Sequence, residues 1–229
     1  MSARLADERG FTLVELLAAI VVSTVVLFAL FGLVDTATRQ QSVATDRIDA
    51  NDRGRMAMDA ISTQLRSRVC ISSAEDSLVA ASDSQIEFFV SLGLTLEGVT
   101  NSQTLVLQRR RLTYRPATSD VLEESWVGIL PAPALPPATS TTPTRTRTLL
   151  TNVSLDASTP FFRYYAMTSP APPDPPLPEL LLAPTPLSAT NLTKVAQITV
   201  SFAAKGKVAG LSTPLQNRIL DRSPGCYFG

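Results

Sequence analysis

The chain of 229 residues has no histidine, two cysteines, one tryptophan and no net charge, with 20 basic and 20 acidic side chains. Without histidine it cannot build a Ser-His-Asp or Cys-His catalytic arrangement, and it lacks the commonest proton-transfer group near neutral pH. Cys70 and Cys226 are too few ligands for a zinc site. The balanced charge gives no basic excess of the kind that nucleic-acid binding shows. We therefore predict no enzymatic activity, no cofactor, no metal and no nucleic-acid partner.

Two short charged motifs remain in the second half of the chain. Arg109-Arg110-Arg111 lies between apolar triplets, and such a run typically occupies a solvated turn or a strand edge. Glu123 and Glu124 are neighbouring carboxylates. Because adjacent residues on a strand point to opposite faces, a shared catalytic site is disfavoured and a solvated turn is expected. No glycine-rich phosphate-binding loop is present in the sequence.

A run of nineteen residues, 16–34, contains no charged side chain. Together with residues 11–14 it is long enough to span a bilayer as a helix. It exceeds the apolar core of about 7–15 residues in a removable signal peptide, and no Ala-x-Ala cleavage site follows it. We therefore expect a retained membrane helix that contains Glu15, although a carboxylate within the span costs roughly 2.5–3.5 kcal/mol on insertion scales.

The residues in front of this run read Arg9-Gly10-Phe11-Thr12-Leu13-Val14-Glu15, so a short polar leader ends in glycine. This junction resembles the prepilin leader of type IV pilins and type II secretion pseudopilins. The resemblance implies that a prepilin peptidase cuts between Gly10 and Phe11 and that Phe11 is then N-methylated. It also implies that Glu15 faces the amino terminus of a neighbouring subunit and sets the register of assembly. The alternative is a simple anchor whose carboxylate reaches the lipid head groups.

The same resemblance gives the expected location and partners. The amino terminus is expected in the cytoplasm, and everything beyond residue 34 is expected outside the cytoplasmic membrane. After assembly the chain is expected in a filament at the cell surface. The charges that flank the apolar run are too balanced to determine the orientation by themselves. Expected partners are the prepilin peptidase, other minor and major pilins or pseudopilins, the inner-membrane assembly platform and membrane lipid. Outside the cytoplasm, Cys70 and Cys226 form a disulfide, which we expect, or remain two unpaired thiols.

Beyond the apolar run, the sequence predicts that the helix continues. Residues 34–67 contain no proline and only one glycine, Gly54, and good helix formers dominate. The part from 35 to 52 is polar nearly all round and is expected to face neighbouring subunits. Later, apolar residues recur by three, four and four positions, which predicts a helix face packed on a core. This stripe consists of Met58, Ile61, Leu65 and Val69.

The second half of the chain predicts strands and loops. Six segments have strand length and are rich in β-branched or aromatic residues, namely 85–90, 104–108, 111–115, 125–130, 161–167 and 195–203. The alternation in Ile198-Thr199-Val200-Ser201-Phe202 predicts a sheet with one buried face. Fourteen of the 17 prolines lie between Pro131 and Pro186. They predict two surface loops, 131–143 and 170–186, for which a polyproline ligand is the alternative interpretation.

These features predict an α+β fold, a long amino-terminal helix packed on a mostly antiparallel β-sheet head, as in pilins. The expected divisions are a leader, 1–10, a membrane-spanning or filament-core helix, 11–34, its extracytoplasmic continuation, 35–71, and a β-rich head, 72–229.

Helix residues 51–71 and the strand blocks 85–90, 149–165 and 195–202 resemble minor pilins of the PilW type and minor pseudopilins of the GspJ/PulJ type. The resemblance implies a non-enzymatic minor subunit that joins or primes a type IV pilus or a type II secretion pseudopilus. The alternatives are a membrane-anchored adhesin or binding module on a pilin-like anchor, and a major pilin.

Overall fold

The computed structural model describes residues 12–69, 78–97, 102–129, 142–156, 158–167, 179–183, 185–207 and 212–220. The chain divides into two compact units, Met1–Asp46 and Arg47–Gly229. Helix α1 (Leu13–Arg66) begins in the first unit and ends in the second. The sequence predicts a continuation to residue 71, but α1 ends at Arg66, and the N–H of Val69 already donates to the carbonyl of Phe89, at 3.0 Å.

The first sheet of the second unit is an antiparallel meander of five strands. These are β1 (Leu78–Ala81), β2 (Gln85–Glu97), β3 (Ser102–Arg115), β4 (Asp120–Ile129) and β5 (Arg145–Thr151). Their order in the sheet is their order in the chain, so β1 and β5 form its edges among the described strands.

The second sheet contains the remaining strands. These are β6 (Val153–Ser154), β7 (Phe162–Met167), β8 (Glu179–Leu181), β9 (Gln197–Lys205) and β10 (Ser212–Leu220). The order is β10-β9-β7-β8, and β6 pairs with the far end of β9. A one-turn helix, α2 (Ala189–Leu192), precedes β9 and is capped by the side chain of Ser188. All pairings in both sheets are antiparallel, and the predicted α+β architecture is confirmed.

One face of α1 supplies the centre of the core. Met58 is buried, and Ile61 and Leu65 are fully buried, which confirms this part of the predicted stripe; Val69 lies beyond the helix end. The core around them draws on both sheets, including Phe88, Leu112, Val121, Phe161, Phe162, Tyr164, Ile198 and Val200. Both sheets therefore bury their apolar faces against the same helix surface.

Ile198, Val200 and Phe202 of β9 are buried in the core, as the alternation predicts, but the prediction that only one face of this sheet is buried is wrong. Thr199 and Ser201, on the opposite face, are buried as well. The reason is the central position of β9. The long side chains of Arg163 and Arg218 are the register neighbours of Thr199 on its two sides.

The strand boundaries differ from the predictions in several places. Predicted strands 104–108 and 111–115 are parts of one strand, β3, and β4 begins at Asp120 rather than at residue 125. Strands β1, β5, β6, β8 and β10 lie outside the six predicted strand segments, although β5 and β6 overlap the block 149–165 that the resemblance gave. The edge position of β10 explains how it accommodates Pro214, because proline has no N–H to donate to a sheet ladder and is tolerated on an edge strand.

The two proline-rich segments lie largely outside the described residues. Within the second predicted loop, 170–186, strand β8 interrupts the loop, and its residues pair with 165–167 of β7. In the first, 131–143, only residues 142 and 143 are described, and they belong to no helix or strand.

Candidate functional site at the amino-terminal helix

The first part of α1 presents apolar side chains on every side. Within residues 13–34 all side chains are exposed, including large ones such as Leu16, Phe28 and Phe31. α1 is the helix of the described residues that is long and apolar enough to cross a membrane. None of its most apolar stretch is buried by the rest of the chain. Exposed apolar surface of this extent calls for lipid or for other apolar helices around it.

A hydroxyl within this segment is satisfied by the helix itself. The Thr24 hydroxyl donates to the carbonyl oxygen of Ile20 at 2.7 Å. Such a bond matters in a lipid environment, where an unpaired polar group costs several kcal/mol. Thr24 is therefore compatible with a membrane span despite its polarity.

Thr12 and Glu15 form a capping box at the start of α1. The backbone N–H and hydroxyl of Thr12 donate to Glu15 Oε2 at 3.2 and 3.1 Å, and the N–H of Glu15 donates to Thr12 Oγ1 at 3.3 Å. Reciprocal bonds of this kind satisfy two N–H groups that a helix start leaves unpaired. Thr12 was not among the predicted site residues, although the Thr-x-x-Glu spacing is the sequence signature of this box.

The other predicted site residues lie outside the described part of the chain. Gly10 and Phe11 precede residue 12, and Cys70 and Cys226 fall within 70–77 and 221–229. Cleavage, N-methylation and the disulfide therefore stay predictions. Glu15 is the predicted site residue whose surroundings the structure describes.

The arginine run does not occupy a turn or a strand edge, and that prediction is wrong. Arg109 and Glu87 are both buried, with exposed fractions of 3% and 2%, and form an ion pair. Arg111 contacts Glu87 at 3.0 Å and Glu124 at 3.4 Å. The guanidinium carbons of Arg109 and Arg111 lie 5.4 and 4.8 Å from the ring centre of Trp126. Carboxylates and an aromatic ring on flanking strands thus allow an arginine-rich strand at the centre of a sheet.

The expected solvated turn at Glu123 and Glu124 is also wrong, because both residues lie in β4. Their partners are different. Glu123 contacts Arg147 at 2.7 Å and Arg110 at 3.8 Å, whereas Glu124 contacts Arg111. The carboxylates belong to opposite faces of the sheet, so they share no site, and each one neutralises arginines of neighbouring strands.

Two further titratable residues, Asp120 and Tyr164, form hydrogen bonds that stabilise the head. Arg115 donates to both carboxylate oxygens of Asp120, at 2.8 and 2.5 Å, beside the turn between β3 and β4. This hydrogen bonding lowers the pKa of Asp120. Burial raises the pKa of Tyr164 well above its usual value, and its hydroxyl donates to the carbonyl of Ser82 at 2.9 Å. Both interactions are structural, since they join neighbouring strands and loops.

Residues 5–31 match the protein family described as Prokaryotic N-terminal methylation motif. The match spans residues 5–10 of the leader, the Gly10-Phe11 junction, Glu15 and most of the apolar run, and it leaves the head unmatched. This motif supports a relationship to the pilins and pseudopilins and indicates processing by a prepilin peptidase. No curated protein and no solved structure matches the chain.

Proposed function

We propose that the chain is a minor, non-enzymatic subunit of a type IV pilus or a type II secretion pseudopilus. It is held in the cytoplasmic membrane by residues 11–34, with the amino terminus in the cytoplasm and the head outside, and then enters or primes the filament. The observation that carries this proposal is the coincidence of the methylation motif with the exposed apolar part of α1. Lipid covers this surface before assembly, and the helices of other subunits cover it afterwards.

Processing is tested by mass spectrometry of the mature amino terminus. We expect a chain that begins at N-methylated Phe11, because the family cuts after the glycine of this junction. Gly10→Val should leave the uncut precursor, whereas Gly32→Ala should be processed normally, since an added methyl group there meets no atom within 4 Å. A wild-type chain that begins at Met1, or after residue 34, would overturn the proposal.

The role of Glu15 in assembly needs to be separated from its role in the capping box. Glu15→Gln removes the charge but keeps a side chain that can complete a capping box. Thr12→Ala removes both hydrogen bonds of the Thr12 hydroxyl, leaves the backbone N–H of residue 12 as a donor to Glu15, and keeps the charge. If Glu15 pairs with the amino terminus of a neighbour, Glu15→Gln should insert in the membrane and fail to enter filaments, while Thr12→Ala should still enter them.

Filament incorporation is measured by the amount of the chain in sheared filaments relative to membranes. The opposite pattern, in which only Thr12→Ala loses filament incorporation, would show that Glu15 acts only in capping the helix. Normal incorporation of both variants would favour a simple anchor, as expected for a membrane-held adhesin or binding module.

The minor role is the finer part of the proposal. It is supported by the concentration of prolines between 131 and 186, which suits a low-copy subunit better than a repeating one. Quantitative proteomics of purified filaments tests it. We expect far fewer copies of this chain than of the main filament protein, and equal abundance would make it a major pilin.

A further inference from the structure

A groove runs between α1 and the edge strand β5 within the second unit. One part, lined by Met56, Ala57 and Leu149 among others, has a volume of about 460 Å³. The other part, lined by Gln64 and Arg145 among others, has a volume of about 270 Å³. Arg147 lines both parts, so they adjoin along β5. We call this surface the α1–β5 groove.

The apolar end of the α1–β5 groove exposes a large side chain. Met56 is 65% exposed although it lies on a helix whose next turn is in the core. Ala57, Ala60 and Leu149 line the same part and leave room beside it. A flexible methionine next to small residues suits the docking of an apolar side chain, because it adapts to the shape of its partner.

The other end of the groove is basic. Arg110, Arg145 and Arg147 line it together with one carboxylate, Glu123. Glu123 is already engaged by Arg147 and Arg110. Arg145 is exposed and forms no ion pair within the described residues. This end therefore carries excess positive charge and complements a carboxylate from another molecule.

Gln64 adds an unused hydrogen-bond acceptor to the basic end. Its side chain is only 7% exposed, and its Oε1 atom has no hydrogen-bond partner among the described residues. A buried acceptor without a partner is unfavourable. A backbone N–H of an entering segment would supply the missing donor.

β5 offers its backbone along the same groove. It is the last strand of the first sheet, and no described strand pairs with its outer side. Its pairing with β4 skips Leu149, since Val121 lies opposite Leu150 and Leu122 opposite Thr148. Alternate N–H and C=O groups before this bulge, from Arg145 to Thr148, point away from β4 and can form a ladder with a further strand.

We infer that the α1–β5 groove binds an extended acidic segment of another pilin-like subunit. Its backbone adds to the outer side of β5, a carboxylate pairs with Arg145, and an apolar side chain lies against Met56. This inference rests on the proposed function for the class of partner. The arginines on β5 could otherwise serve only to keep the edge unpaired. The groove beside them, with its exposed methionine and unpaired glutamine, distinguishes this edge from a merely protected one.

Site-specific photocrosslinking in cells that make the complete filament tests the inference. A photoreactive amino acid replaces Thr148, in the groove, or Thr190 on α2 as the control; both are exposed. We expect Thr148 to crosslink to an acidic segment of a different subunit with a prepilin leader, identified by mass spectrometry of the crosslinked peptide. Thr190 should not give this product.

Two variants then probe the two ends of the groove. Arg145→Glu should lower the yield of this crosslink about tenfold, because it places like charges together. Met56→Lys should lower it as well. Lys194→Glu, an equal change of charge outside the groove, should leave it unchanged. Because Met56, Arg145 and Lys194 are exposed, all three variants should retain the unfolding midpoint of the wild type.

The outcomes separate this inference from the proposed function. A chain that carries methylated Phe11 but gives no groove-specific crosslink would refute the inference alone. So would crosslinks only to a second copy of this chain, or equal yields for Arg145→Glu and Lys194→Glu. A chain that is never processed at Gly10 would refute both.

Discussion

Gly54 provides a direct test of how closely α1 packs on the second sheet. A Cβ atom at this position would lie closer than 3.0 Å to Leu215 Cδ1 and 3.0 Å from the Cβ atom of Ala204. The leucine side chain can rotate away, whereas the Ala204 Cβ is fixed to the central strand β9. Glycine is therefore expected here for the space it leaves, even though it is a poor helix former.

Two opposing effects determine the result of Gly54→Ala. Alanine is better than glycine inside a helix by about 0.8–1.0 kcal/mol. Overpacking of a filled core costs about 1–3 kcal/mol. The expected net change is a loss of about 0–2 kcal/mol in the free energy of unfolding of the head. Because a part of this loss comes from Leu215, Gly54→Ala should be less harmful when residue 215 is already alanine.

The assay is urea unfolding of the full-length protein in detergent. It is followed by the fluorescence of Trp126, the single tryptophan, which is 3% exposed in the head. Gly54→Ala, Leu215→Ala and the double variant form a mutant cycle, and we expect a coupling of about 0.5–3 kcal/mol for residues in contact. Gly32→Ala is the control with no contact. Coupling below about 0.3–0.5 kcal/mol, the usual scatter for independent sites, would refute the packing argument.

Two further predictions concern the charges of the first sheet and use the same assay. Glu87→Gln should lower the free energy of unfolding by about 3–5 kcal/mol, since it removes the buried carboxylate that pairs with Arg109 and Arg111. Glu124→Gln, at a more exposed pair, should cost about 0–1 kcal/mol, and equal losses in the two variants would contradict this account. The hydrogen bonds from Arg115 lower the pKa of Asp120 in the folded state. The ionised Asp120 therefore contributes fully to the free energy of unfolding above the unfolded-state pKa of about 3.9, and this contribution disappears as the pH falls through the lower folded-state pKa. Asp120→Asn should therefore be less stable than the wild type at pH 5–8 and equally stable at the acid end, and a difference that persists unchanged in acid would argue against the ion pair.

The elements that were predictable from sequence are those with local signals. The apolar run and the spacing of Ile61 and Leu65 define α1 without reference to any other segment. The alternation of apolar and polar residues in β9 is also a local signal, because it indicates a strand without reference to any other segment. Thr12 and Glu15 carry an equally local signal, and the capping box could have been predicted from their spacing alone.

The charged cluster was not predictable because its signal is not local. Arg111 is acceptable within a sheet only because β2 places Glu87 directly opposite it, and this depends on the register of two strands. A run of three arginines gives no information about that register by itself. Gly54 shows the same limit, since its need for space arises from Ala204 and Leu215, far away in the chain.

The capping box also bears on how a subunit leaves the proposed filament. Glu15 already accepts hydrogen bonds from its own helix, so it does not reach a neighbour's amino terminus from water but exchanges one partner for another. Opening the box costs about 0.5–2 kcal/mol, the usual value of a helix cap. That cost is recovered when the subunit withdraws, which makes this contact readily reversible. Thr12→Ala removes the competing hydroxyl and leaves only the backbone N–H of residue 12 as a donor, so filaments that contain this variant should release it more slowly than the wild type.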